Sequence, residues 1–267
     1  MASPGPLTVR SARVKHARRL ATRTFRARTG EFLAEGPQAV REALAEAGVV
    51  VDVFASVDAT DRHPDLMKQA EAADIEWQVV TEDVVREVAD AVAPQGLVAR
   101  CRSVVRSLQE LPPETGLVVV CADIRDPGNA GAVIRCADAV GADAVILAGA
   151  SIDPLNPKVV RASAGSLFHL PIVTHRHVGD VVTDLRARGL QIFAADASGD
   201  LDIFDPAVDT AAPTAWLFGN EAWGITDEVR SLADAVVAVP IYGRAESLNL
   251  ATAAAVCLYA TAWSRRR

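Results

Sequence analysis

The sequence predicts two α/β domains in tandem, a smaller one followed by a larger one. Three observations carry that reading. Short runs rich in Val, Ile and Phe alternate with helical patterns along the chain. A polar stretch at 107–116, holding Pro112 and Pro113, interrupts the alternation and reads as a linker. In the C-terminal half, apolar runs lead straight into loops rich in Gly, Asn or Pro. In open α/β sheets such loops gather outside the carboxyl ends of the strands and form ligand sites there.

The elements follow in order. The first ten residues, with Pro4, Gly5 and Pro6, read as disordered, and 13–28 suits a basic helix. Residues 31–36 are strand-like. Pro37 opens a helix to about residue 47, where its fixed φ is tolerated. Strands are expected at 49–56 and 76–80, helices at 63–72 and 82–88, and a strand at 96–102 that extends to 106. After the linker, Leu117 to Ala122 has the continuous apolar character of a buried strand. A helix over 131–140 ends at Gly141. Then come a strand at 144–148, a helix at 158–165, a strand at 170–174, a helix at 178–188 and a strand at 191–195. A strand at 215–218, a helix at 226–232 and a strand at 235–240 precede a long apolar helix over 247–263, with Ser247 as its N-cap. The division is therefore 1–30 as a basic, partly flexible segment, 31–106 as the small domain, 107–116 as linker and 117–267 as the large domain.

Composition narrows the class. Half the residues are hydrophobic and 5% are aromatic, so the core is built from Ala, Val, Leu and Ile. No stretch is apolar for the ~20 residues needed to span a bilayer, and the basic N-terminus leads into no secretory signal. A membrane partner is not expected. Cys101, Cys121, Cys136 and Cys257 are scattered without C-x-x-C spacing, which argues against zinc or a disulfide framework and for a reduced, cytoplasmic setting. No metal is expected. The absence of Gly-x-Gly-x-x-Gly after a strand argues against a nicotinamide-dependent oxidoreductase.

Net charge is −7, yet all 34 acidic residues lie from Glu31 onward. The first 30 residues hold Arg10, Arg13, Lys15, Arg18, Arg19, Arg23, Arg26 and Arg28. Charge alone leaves a solvated tail and a phosphate-binding segment equally open. The motifs downstream favour RNA.

Those motifs are Asp123-Ile124-Arg125-Asp126-Pro127-Gly128-Asn129-Ala130-Gly131-Ala132-Val133-Ile134-Arg135, then Phe218-Gly219-Asn220-Glu221-Ala222-Trp223-Gly224-Ile225, then Val239-Pro240-Ile241-Tyr242-Gly243-Arg244-Ala245-Glu246-Ser247-Leu248-Asn249-Leu250. Taken singly they are ordinary. Asn129 suits a turn, Arg135 a helix surface, and Glu221 a solvated loop. Together, in this order, they resemble the SpoU (TrmH-type) RNA 2′-O-ribose methyltransferases. In the first half, Phe32-Leu33-Ala34-Glu35-Gly36 and Gln95-Gly96-Leu97-Val98-Ala99 resemble the start and end of that family's substrate-binding domain, which is L30e-like. The resemblance runs from about residue 13 to 263.

The resemblance implies a SPOUT-type α/β domain with a C-terminal trefoil knot, preceded by the smaller L30e-like α/β substrate-binding domain. It implies methyl transfer from S-adenosylmethionine to a ribose 2′-hydroxyl of structured RNA, and a homodimer through the catalytic domain. The 2′-hydroxyl is what distinguishes RNA from DNA. The implied reaction centre holds Asn129, Arg135, Glu221, Ser247 and Asn249, with Glu221 a candidate partner for Arg135. A guanidinium keeps its proton, so Arg135 is read as a clamp on the target's phosphate rather than a general base. The cofactor is expected against Leu217, Phe218, Gly219, Asn220, Gly224, Ile241, Leu248 and Asn249. RNA is expected at Arg10, Arg13, Lys15, Arg18, Arg19, Arg23 and Arg161. The family more often has Gly at the Ala222 position, which would matter if that backbone needs φ > 0. Two-domain length and the L30e-like domain favour ribosomal RNA. Alternatives are a transfer RNA 2′-O-methyltransferase or a non-catalytic RNA-binding protein that keeps the fold.

Overall fold

The computed structural model describes residues 7–267, which form two compact units. The first comprises the chain up to Val104 together with Leu155–Phe168, and the second comprises Val105–Pro154 and His169–Arg267. In the first unit, helices α1 (Ala12–Arg19) and α2 (Arg23–Thr29) lead into β1 (Glu31–Glu35), α3 (Pro37–Ala45), β2 (Val50–Ser56), α4 (Val57–Arg62), α5 (Pro64–Ala72), β3 (Glu76–Val80), α6 (Glu82–Val88) and β4 (Leu97–Arg102). The second unit carries β5 (Val105–Arg106), β6 (Leu117–Ala122), α7 (Pro127–Val140) and β7 (Ala144–Ala148). The chain then contributes α8 (Pro157–Ala162) to the first unit. It resumes in the second with β8 (Ile172–His175), α9 (Val178–Ala187), β9 (Gln191–Ala195), β10 (Leu201–Asp202), β11 (Thr214–Phe218), α10 (Asp227–Arg230), β12 (Ala235–Ala238) and α11 (Leu250–Ser264).

The first sheet has the order β1-β4-β2-β3, with β4 antiparallel to both neighbours. From Leu7 onward, the basic N-terminal segment packs into this unit. The single helix expected over 13–28 is two helices, and Val14 and Ala17 on α1 and Leu20 at its C-cap are fully buried. With Phe25 they pack against Leu33, Phe54, Val84, Val85 and Val98, and Leu7 joins the edge of that cluster. Residues 1–6 of the stretch expected to be disordered lie outside the described residues. The turn between the helices is held by buried Arg26, whose Nη1 donates to the Leu20 and Ala21 carbonyls at 2.8 and 2.9 Å. Those carbonyls sit at a helix end, where no backbone donor is available.

Asp52, 1% exposed, is gripped by Arg100 through Nε to Oδ1 (3.0 Å) and Nη2 to Oδ2 (2.7 Å). A buried carboxylate needs such two-pronged pairing to offset its desolvation. Residues 155–168, which the sequence reading kept within 117–267, group with this unit. The reason is physical: Val159 and Val160 are buried, and Arg161 pairs with Glu35 and Asp90, each at 3.0 Å.

The second sheet is parallel throughout, in the order β10-β12-β9-β11-β6-β7-β8-β5. The strand expected at 96–102 is present as β4, but its extension to 106 is separate from it: Val105–Arg106, β5, pair with β8 in this sheet. Central strands β6 and β11 are buried along their whole length, as their uninterrupted apolar sequences require. From β6 the chain moves outward through β7 to β8, then returns on the other side as β9, β11 and β12. The reversal falls between β6 and β11, the place where open α/β sheets form their crevice.

Helix ends differ from expectation at two motif positions. α7 starts at Pro127, capped by Asp126, whose Oδ1 accepts from the Asn129 amide at 2.7 Å. α11 starts at Leu250, and its N-cap is Asn249 rather than Ser247; Asn249 Oδ1 accepts from the Ala251 amide at 2.9 Å. α11 is tied to β11 by Trp216, fully buried, whose Nε1 donates to Thr261 Oγ1 at 2.9 Å. Among the described residues no helix is long and apolar enough to cross a membrane.

Since α1 closes the first unit's core, Leu20→Ala should cost about 2–4 kcal/mol. Urea unfolding followed by circular dichroism measures this. A change below about 0.5 kcal/mol would mean that α1 is peripheral after all.

Candidate active site

The three motif loops meet above the carboxyl ends of β6, β11 and β12 in the second unit, and a directed chain of hydrogen bonds joins them. Glu221, from the loop after β11, accepts from the amides of Arg125 (3.3 Å, Oε2) and Asp126 (3.1 Å, Oε1) in the loop after β6. Glu221 Oε1 also accepts from Asn129 Nδ2 at 3.3 Å. A carboxylate can only accept, so it sets the orientation of the Asn129 amide. Asn129 Oδ1 is thereby turned to accept from Asn249 Nδ2 at 3.0 Å. Asn249 spends its own oxygen on the α11 cap, which leaves its nitrogen as the donor.

A second tie lies beneath the first. Asn220 is 5% exposed; its Nδ2 donates to the Asp123 carbonyl at 2.7 Å, and its Oδ1 accepts from the Ala222 amide at 2.8 Å. The loop closes on itself through paired Asn220 and Gly224 backbones, both bonds 2.9 Å. A Cβ at Gly219 would strike the Gly224 carbonyl, and Gly224 itself sits at φ +68°. Glycine is required at both positions for these reasons. Ala222 is not among the residues with positive φ, so its methyl group is accommodated.

The loops after β9, β11 and β12, with the first turn of α11, border a cleft of about 470 Å³, within the usual size of a small-molecule site. Phe218, Ile241 and Leu248 supply apolar wall, and Gly219, Asn220, Gly224, Ser247 and Asn249 also line it. Leu217 does not; it is fully buried and faces the sheet's core cluster, because side chains alternate along the strand. Asn129 and Arg135 stand outside the cleft lining. Arg135 lies six residues, about 9 Å of helix rise, beyond Asn129 and is exposed. It does not pair with Glu221, whose carboxylate is taken up by the α7 loop instead. Ser247 is exposed at the cleft edge and caps nothing.

Of the residues named for RNA, Arg13 pairs with Glu76 at 2.6 Å, Arg18 pairs with Glu87, and Arg161 pairs with Glu35 and Asp90. Arg10, Lys15, Arg19 and Arg23 are exposed, and Arg19 lies over the Phe25 ring at 4.2 Å.

The sequence reading missed Asp196, which lines the cleft at the carboxyl end of β9. The signal was present: an apolar strand running into Asp196-Ala197-Ser198-Gly199. Burial pushes the Asp196 carboxyl up, but hydrogen bonds from Ser198 and the Arg230 charge outweigh it and hold the group below its ordinary value. The thiols nearby are poor nucleophiles. Burial, aided by the Glu221 charge, pushes Cys121 up to about 12, and burial pushes Cys257 up to about 12.

A parallel α/β sheet with a glycine-containing cleft at the carboxyl ends of β9, β11 and β12, following a smaller α/β unit, places the chain among two-unit α/β proteins with a small-molecule site at the sheet's carboxyl edge. Residues 116–259 match the SpoU rRNA Methylase family, and residues 11–99 match the MRM3-like substrate binding domain. The 23S rRNA (guanosine(2553)-2′-O)-methyltransferase of Bacillus subtilis is 32% identical, covering 94% of this chain and 96% of its own. The 23S rRNA (uridine(2479)-2′-O)-methyltransferase of Streptomyces viridochromogenes is 34% identical, covering 95% and 90%. The AdoMet-bound rRNA methyltransferase from Sinorhizobium meliloti superposes with a TM-score of 0.83 at 31% identity, over 95% of each chain. The AdoMet complex of the SpoU methyltransferase AviRb from Streptomyces viridochromogenes gives 0.84 at 33%, over 96% of this chain and 99% of that one. The chain belongs to the SpoU rRNA methylase family.

If Asn220 holds the loop to β6, Asn220→Ala should lower stability by about 1–3 kcal/mol, since it strands a carbonyl and an amide. It should also weaken S-adenosylhomocysteine binding at least about tenfold. Chemical denaturation and calorimetry check the two parts. Unchanged affinity would show that the loop keeps its shape without this tie.

Proposed function

We propose that this protein transfers a methyl group from S-adenosylmethionine to a ribose 2′-hydroxyl of 23S ribosomal RNA. The observation that carries the reading is the Asn249–Asn129–Glu221 chain standing beside the cleft. The support is family membership, with relatives whose names specify 2′-O-methylation of 23S rRNA.

The cleft suits that cofactor. Its apolar wall of Phe218, Ile241 and Leu248 fits an adenine, and the glycine backbone at 219 and 224 permits close approach. When bound, the cofactor supplies an electrophilic methyl group: the ribose oxygen bonds to it as the sulfur–carbon bond breaks, leaving S-adenosylhomocysteine. The chain's own residues position and neutralise. Glu221 accepts three N–H donors, so it organises the loops rather than collecting the hydroxyl's proton. Asn129 and Asn249 fix the edge that the ribose meets. Arg135, exposed and without an ion pair among the described residues, is free to hold a phosphate of the target nucleotide. Its charge would stabilise the oxygen as the proton leaves for a phosphate oxygen or another acceptor.

Exposed Arg10, Lys15, Arg19 and Arg23 offer the first unit's phosphate contacts, whereas Arg13, Arg18 and Arg161 are already paired. A homodimer through the second unit belongs to the same reading, as does a trefoil knot in that unit. α11 is apolar all round, and Val256, Tyr259 and Trp263 share one side at helical spacing; Tyr259 is 56% and Trp263 66% exposed. Such a face is normally covered.

Arg135→Ala should reduce methyl transfer to a 23S rRNA transcript at least about a hundredfold, with calorimetric affinity for S-adenosylhomocysteine kept within about threefold. Retained turnover would remove the assigned role. Trp263→Glu should convert a dimer to a monomer in sedimentation, and an unchanged mass would place the interface elsewhere.

A further inference from the structure

The Asp196 carboxylate divides its two oxygens between separate tasks. Oδ1 accepts from the Ser198 amide at 2.9 Å and from the Ser198 hydroxyl at 2.6 Å, and Arg230 Nη2 lies 3.1 Å away. Arg230 Nη2 also donates to Ser198 Oγ at 2.9 Å, so the three side chains form a closed clamp. No hydrogen bond within the described residues reaches Oδ2. That oxygen faces Gly224, where a Cβ would come within 3.3 Å of it. Asp196 and Gly224 both line the cleft, and the Asp196 side chain is only 17% exposed. A partly buried anionic oxygen, held rigidly and left without a donor, is a site awaiting one.

Topology decides which part of a cofactor supplies that donor. Ala195, the last residue of β9, is in register with Phe218 of β11, which is in register with Cys121 of β6. Asp196 thus stands two strands, roughly 10 Å, from the β6 loop that leads to Asn129. A transferable methyl group must face that loop, so one end of the cofactor extends towards β9. The end that carries an amino acid brings an α-carboxylate. No Lys or Arg lines the cleft to receive it, and Asp196 would repel it. The nucleoside end brings two vicinal hydroxyls and no charge, beside the small side chains of Ala195 and Ala197.

Resting on the function proposed above, we infer that Asp196 anchors the cofactor's own ribose, its Oδ2 accepting from the 2′- and 3′-hydroxyls. Ser198 and Arg230 are positioning residues that hold this oxygen in place and keep it anionic. The carboxylate selects a nucleoside with an intact diol, and it acts on the bound cofactor rather than on the RNA.

Calorimetry of the full-length protein tests this, with S-adenosylhomocysteine and its 2′,3′-dideoxy analogue as probes. In the wild-type protein, loss of the diol should weaken binding about tenfold to a hundredfold, the range for hydrogen bonds to a charged acceptor. Asp196→Asn keeps an acceptor for the clamp but removes the charge; it should weaken S-adenosylhomocysteine by a similar factor while leaving the dideoxy analogue within about threefold of wild type. Ser198→Ala loosens the clamp without touching Oδ2 and should cost less than Asp196→Asn. Equal losses for both probes in Asp196→Asn would overturn the proposal, as would an equal loss in Ser198→Ala, because either result makes the effect one of loop shape. Full affinity of the wild-type protein for the dideoxy analogue also overturns it, and this arm needs no variant to fold. No binding of S-adenosylhomocysteine to the wild-type protein would instead remove the proposed function, and this inference with it.

Discussion

The site depends on one carboxylate that reaches across from the β11 loop to the loop that starts α7. Glu221 accepts two backbone amides and one side-chain amide there, and without it the Arg125 and Asp126 amides would lose these acceptors. The same interaction orients Asn129, which orients Asn249, so a single side chain relates loops more than ninety residues apart in sequence. Parallel neighbours β6 and β11 make this reach short, because their carboxyl ends lie side by side.

The sheet supplies rigidity beneath the relay, and the backbone between β6 and α7 is strained to suit it. Asp123 has a left-handed φ of 58°, uncommon for a residue with a side chain. It is held there from three directions. Its own amide donates to the Ala148 carbonyl, its Oδ1 accepts from the Ala150 amide at 2.6 Å, and its carbonyl accepts from Asn220. Gly149, at φ +70°, leaves the space that the Asp123 carboxylate occupies. Strain of this kind, over-determined by its surroundings, is how a fold pre-organises a site.

Much of this was legible in the chain, for identifiable reasons. Buried parallel strands such as β6 and β11 announce themselves as unbroken apolar runs, and the motif loops stand out as the polar interruptions that follow them. What escaped was decided by packing. The basic residues at 10–28 drew the eye to phosphate binding because charge is conspicuous, whereas Val14, Ala17, Leu20 and Phe25 make the segment part of a core. Ser247 looked like the cap of the last helix; Asn249 takes that role, because its side chain serves both the helix amides and Asn129. Leu217 adjoins a motif but points into the sheet's core cluster. Asp196 went unnoticed because its loop carries no long motif, and its clamp to Arg230 is one that only the fold assembles.

The central claim is that these loops direct a methyl group to a ribose oxygen. Incubating the protein with radiolabelled S-adenosylmethionine and an unmodified 23S rRNA transcript, then hydrolysing the RNA with alkali, reads the position directly. A 2′-O-methyl group blocks cleavage at its own phosphodiester, so label should appear in an alkali-resistant dinucleotide of unique sequence. Label recovered in mononucleotides would place the methyl group on a base, and that result would contradict the account.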